Sequence, residues 1–83
     1  MLIYEHFYNV NNVKDIAYIK SFGDNLRKVR LSKQITQETL AYISDIPISQ
    51  IGRIERGEIN TTISTAKVIA TSLEMNPKDL FDF

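Results

Sequence analysis

The chain has 83 residues, 43% hydrophobic and 24% charged, with ten basic and ten acidic side chains that leave a formal net charge of zero. That is enough for one domain with a small core, whose stability can depend on a partner subunit. With no cysteine and one histidine, His6, disulfides, thiolate chemistry, His-based metal sites and catalytic triads are excluded.

Residues 1–20 read as an N-terminal arm ahead of a domain at 21–83. Within the arm, Leu2, Tyr4, Phe7 and Tyr8 keep no helical period, and Asn9, Asn11 and Asn12 break the pattern. A short strand, an arm packed on the domain or on a second subunit, and a disordered leader all stay open. The opening Met1-Leu2-Ile3 lacks the basic flank and the length of a signal peptide. No apolar run in the chain approaches the roughly 20 residues that span a bilayer. A cytoplasmic protein without membrane contact is expected.

Phe22, Leu26 and Val29 fall at i, i+4 and i+7 and predict a first helix over 21–32, with Asp15 as an earlier alternative start. Gly23 costs about 1 kcal/mol in a helix interior, which favours a start near it. From Lys20 to Lys33 the bases are Lys20, Arg27, Lys28, Arg30 and Lys33, against the single acid Asp24. This is either a surface for an anionic partner or a solvated mixed-charge face.

The stretch TQETLAYISDIPISQIGRIERG, residues 36–57, holds two short amphipathic segments almost back to back. Thr36 is an N-cap type, and Leu40, Ala41 and Ile43 supply an apolar face. Pro47 disfavours helical geometry at Ile46 and breaks the segment. A second helix over 47–56 places Ile51 and Ile54 on one side, and Gly57 stops it. Two helices joined by so short a turn form a helix-turn-helix, whose second helix is shaped for the DNA major groove. A fourth helix is predicted over 62–73 from the stripe Ile63, Ala66, Ile69, Ala70 and Leu73. A short fifth follows, with Asn76 as N-cap, Pro77 at the first position and Leu80, Phe81 and Phe83 for contacts. The expected fold is all-α, a compact bundle of about five short helices.

These residues resemble the Cro/phage-repressor type of helix-turn-helix regulators, the xenobiotic-response-element family. The Thr36-Gln37 pair opens the second helix, Leu40-Ala41 sits in its middle, and Ile54-Glu55-Arg56-Gly57 ends the third. The likeness runs over about residues 22–81 and implies a lambda-repressor-like DNA-binding domain. It also implies a salt bridge between Arg30 and Glu55, each on an otherwise apolar side of its helix. Gln37 is expected to contact a DNA phosphate and to brace the reading helix. Base reading falls by motif position to Ile48, Ser49, Gly52 and Arg53, with Gln50 closer to the backbone. Arg53 suits guanine O6 and N7, with a phosphate contact as the competing role. Ile48 either touches a thymine methyl or extends the core contact of Ile51. Gly52 either admits close approach to DNA or leaves room for Arg53. Asn60 and Thr61, in the loop that follows, can donate to phosphates, or Thr61 or Thr62 can cap the fourth helix. The chain departs from the family at Asp45, where Gly is common, at Pro47 in place of a Ser cap, and at Thr61, where Pro is common.

The leading expectation is a sequence-specific DNA-binding transcriptional regulator, such as a repressor, acting as a homodimer on a pseudo-palindromic operator. A stand-alone repressor, a restriction–modification controller and an antitoxin with a toxin partner are equally compatible. The competing class is a protein-interaction module with the same fold. No nucleophile–base set, paired carboxylates or phosphate loop points to an enzyme, and no cofactor or metal is implied.

Overall fold

The first helix starts at the earlier of its two candidate positions, and the cause is a cap. In the computed structural model, which describes residues 14–83, the Asp15 carboxylate accepts from the Tyr18 amide at 3.0 Å. Helix α1 therefore covers Ile16–Ser32. The border at 20/21 falls inside this helix, and the arm residues 1–13 lie outside the described residues.

Gly23 is thus interior to α1 rather than at its start. A Cβ there would fall onto the Ile54 carbonyl oxygen and lie 2.8 Å from that of Glu55. The helical cost of glycine is outweighed by the close approach of two backbones.

Helix α2 spans Gln37–Ser44, with the Thr36 hydroxyl accepting from the Thr39 amide at 3.0 Å. Asp45 ends it in the left-handed region at φ 57°, a geometry that Asp tolerates better than most residues. Helix α3 spans Ile48–Glu55, and α4 spans Ile63–Ser72 behind Thr62, whose hydroxyl accepts from the Thr65 amide at 3.1 Å. The last element, Pro77–Phe81, is a 3₁₀ helix rather than an α-helix. Five residues are too few for a full α ladder, and the Asn76 carboxamide caps it by accepting from Lys78 at 3.1 Å. Asn25 ties it to α1 by donating to the Leu80 carbonyl at 2.8 Å.

The core is Phe22, Leu26, Leu40, Ile51, Ile54, Ala66, Ile69, Ala70, Leu73 and Leu80. Each fully buried Leu or Ile contributes about 1.5–3 kcal/mol. Two apolar assignments from sequence move. Ile43 is exposed, because the inward positions of α2 are taken by Leu40 and Ser44. The Ser44 hydroxyl is satisfied there by donating to the Leu40 carbonyl at 2.7 Å. Ile63 is 90% exposed at the first position of α4, where it stands on the rim of a surface groove. Met75 packs against the core from the turn after α4. Among the described residues no helix is long and apolar enough to cross a membrane.

Candidate nucleic-acid interface

Helix α3 packs against both α1 and α2 and turns its other side outward. Ile51, Gly52, Ile54 and Glu55 are its buried residues. Ser49, Arg53 and Arg56 are exposed and fall at i, i+4 and i+7, so they form one stripe along the free face. Ile48 is 45% exposed beside this stripe, and Gln50 is half-buried. Pro47 precedes the helix without any side-chain cap, so among the described residues no side chain claims the amides of its first turn.

The angle of α3 is held from within. Arg30 of α1 donates through Nε to Glu55 Oε2 at 2.6 Å and through Nη2 to Oε1 at 2.9 Å. Its Nη1 donates to the Ile35 carbonyl at 2.9 Å, so each of the three guanidinium nitrogens makes a hydrogen bond, to the loop or to α3. Both side chains are buried, at 8% and 3% relative exposure. The hydrogen bond that Arg30 donates to Glu55 raises the Arg30 pKa, desolvation opposes it, and the Glu55 charge adds to the rise. Gln37, the first residue of α2, donates Nε2 to Glu55 Oε1 at 3.1 Å. Its carboxamide thus braces α3 through the same carboxylate that holds Arg30.

The expected reading residues separate into groups. Ser49 and Arg53 lie on the open stripe, with Ile48 and Gln50 at its edges. Gly52 does not: it is buried, and a Cβ there would come within 3.0 Å of Arg56 Nη1. The absent side chain makes room for Arg56, not for Arg53 or for DNA. Asn60 is exposed in the loop after α3. Thr61 is corrected: its hydroxyl is buried, has no hydrogen-bond partner among the described residues, and does not present itself to a phosphate. The α4 cap is Thr62.

Arg56 is the residue that sequence reasoning missed. The sequence reading ends the helix at this residue, although its spacing of three from Arg53 and seven from Ser49 marks the same face. Of the basic residues of α1, Arg30 is committed to Glu55 and Lys28 pairs with Asp24 at 2.9 Å. Lys20 lies beside the end of α3. Gly57, at φ 73°, has no room for a side chain there, since a Cβ would sit 2.8 Å from the Lys20 Cα. Lys20, Arg53 and Arg56 therefore stand near the C-terminal end of α3, with the Glu58 carboxylate among them.

An eight-residue helix held rigidly at its back, following a short left-handed turn from an equally short helix, defines a helix-turn-helix regulator of the Cro/repressor type. The model of the family described as Helix-turn-helix matches residues 26–80, and the chain belongs to that family. It is similar to the control protein C.BamHI of Bacillus amyloliquefaciens, with 41% identity over 63 residues, 75% of this chain and 78% of the relative. Among solved structures it resembles the restriction-modification controller protein C.AhdI from Aeromonas hydrophila, with 38% identity and a TM-score of 0.77 over 78% of this chain and 98% of that one. It also resembles the controller C.Esp1396I, solved as a tetramer with its natural 35 base-pair operator, with 34% identity and a TM-score of 0.73 over 78% and 86% of the two chains.

Proposed function

We propose that this protein is a restriction–modification controller that binds operator DNA as a symmetric homodimer, with α3 of each protomer in the major groove. The observation that carries this is the stripe of Ser49, Arg53 and Arg56 on a helix braced by Arg30, Glu55 and Gln37, in a chain whose relatives are control proteins. These relatives favour a controller over a stand-alone repressor or an antitoxin. Arg53 reads a base, with Ser49, Gln50 and Ile48 beside it. Arg56, Gln37 and Asn60 serve the phosphate backbone. The protein acts by binding in the cytoplasm, without catalysis.

One α3 reads only a few base pairs, and two-fold pairing doubles the contact. The surface suited to pairing is aromatic. Tyr18 and Phe83 meet at 5.0 Å between ring centroids, and Phe22 and Phe81 at 4.9 Å. Tyr18, Phe81 and Phe83 remain 49%, 42% and 51% exposed, beside Ile63. Apolar area of this kind is what a dimer covers. A gel shift with the DNA upstream of the protein's own gene tests the reading. The expected result is retention that weakens steeply with salt. No retention of that duplex, at low salt and micromolar protein, would refute it.

A further inference from the structure

Arg53 and Arg56 do not project independently from α3. They converge on a carboxylate of the same chain. Glu58 Oε2 accepts from Arg56 Nε at 2.7 Å, and Glu58 Oε1 lies 3.6 Å from Arg53 Nε. The backbone arranges this meeting. The Gly57 amide donates to the Ile54 carbonyl at 3.0 Å and the Glu58 amide to the Arg53 carbonyl at 2.9 Å, the paired bonds of a Schellman cap. That cap folds the chain back, so the Glu58 side chain lies against the last turn of the reading helix.

A carboxylate is poorly placed there by the helix itself. The carbonyl end of a helix carries partial negative charge and disfavours an anion. Two guanidinium groups hold it in place instead. A pair of guanidinium groups around one anion is also an arrangement suited to a phosphate. The side chains of Arg53, Arg56 and Glu58 are 57%, 61% and 47% exposed, so one anion can replace another without unpacking the core.

We propose that Glu58 is an internal counter-ligand of the exposed arginines: its carboxylate holds Arg56, with Arg53 beside it, in the free protein, and in the complex a DNA phosphate takes its place on Arg56 while Arg53 is released to its base. This rests on the DNA-binding reading above and adds a brake on the same surface. The brake is blind to sequence, because a phosphate carries none. Its strength falls as salt screens the exposed pairs.

The test is Glu58→Gln, which keeps the shape and removes the charge. Affinity is measured for the duplex upstream of the gene and for a random duplex of equal length, across a salt series, with circular dichroism to follow the fold. The expected result is binding about tenfold tighter at low salt on both duplexes, with a gain that shrinks as salt rises. In an Arg56→Ala background the same substitution gains much less, because the partner is gone. Unchanged or weaker binding by Glu58→Gln overturns the proposal. So does a full gain in the Arg56→Ala background, which would mean that the charge only repels DNA at a distance. A wild-type protein that binds, with Glu58→Gln unchanged, defeats this proposal alone. If neither protein retains either duplex, the DNA-binding reading falls with it.

Discussion

Arg30 and Glu55 lie 25 residues apart in sequence and meet as a buried, two-pronged ion pair that joins the first helix to the reading helix. Removing one partner strands the other in the interior, and such losses cost about 3–5 kcal/mol. Glu55→Ala should therefore lower the thermal midpoint sharply, with Glu58→Ala as the exposed control. Equal shifts in the two variants would show that the pair contributes nothing particular to stability.

Gly23→Ala pits helix propensity against packing. Alanine gains about 1 kcal/mol as a helix former. The new methyl, however, meets the Ile54 carbonyl, which belongs to backbone and cannot swing aside. Overpacking of this kind costs about 1–3 kcal/mol, occasionally more. A net loss of stability in chemical denaturation is expected, and a stabilised variant would contradict the close approach of α1 and α3.

Arg53→Ala and Arg56→Ala should differ in kind. Loss of a base contact at Arg53 costs about 1–3 kcal/mol on the operator and little on random DNA. Loss of a phosphate contact at Arg56 weakens both alike and reduces the salt slope by about one. Paired affinity measurements at fixed salt separate the two. The reverse pattern would exchange their roles.

Phe81→Asp places a charge in the aromatic surface and keeps the buried Leu80 of the 3₁₀ helix; circular dichroism follows the fold, because Phe81 also packs on Phe22. Sedimentation at micromolar concentration is expected to show a dimer for the wild type and a monomer for the variant. A monomeric wild type, both free and on DNA, would remove this surface from assembly.

The Glu58 carboxyl should titrate below its ordinary range, first because it accepts a hydrogen bond from Arg56; desolvation opposes this, and the charges of Arg56 and Arg53 add to the lowering. A lowered folded value favours the paired form above the ordinary carboxylate pKa and loses it as pH falls through the folded one. Carbon-detected NMR titration reads this directly. Arg56→Ala should move the value upward, and no movement would place the partner elsewhere.

Much of this architecture was legible because its signals are local. Thr36, Thr62 and Asn76 cap as their residue types suggest, and Pro47 and Gly57 bound the reading helix. What was not legible depended on elements meeting across the chain. Gly23 looked like a helix boundary because the carbonyls that require it come from α3. Ile63 fitted the apolar period of α4, yet the groove rim leaves it open. Thr61 offered a hydroxyl on paper, but the loop turns it inward. Arg56 was hidden by its position at the helix end, although its spacing from Ser49 and Arg53 was there to be counted.

The contact at Gly23 has a reach beyond its own site. The backbone contact at Gly23 and the buried Arg30–Glu55 pair together fix α1 against α3, so the reading helix travels wherever α1 travels. Tyr18, on the aromatic surface, sits five residues back along the same rod, about 7.5 Å away at helical rise. In a dimer joined at that surface, α1 is a ruler with one end on the partner and the other on the groove-reading element. Operators whose half-sites are lengthened or shortened by a single base pair should then be refused, since no joint lies between the two ends to absorb the misfit.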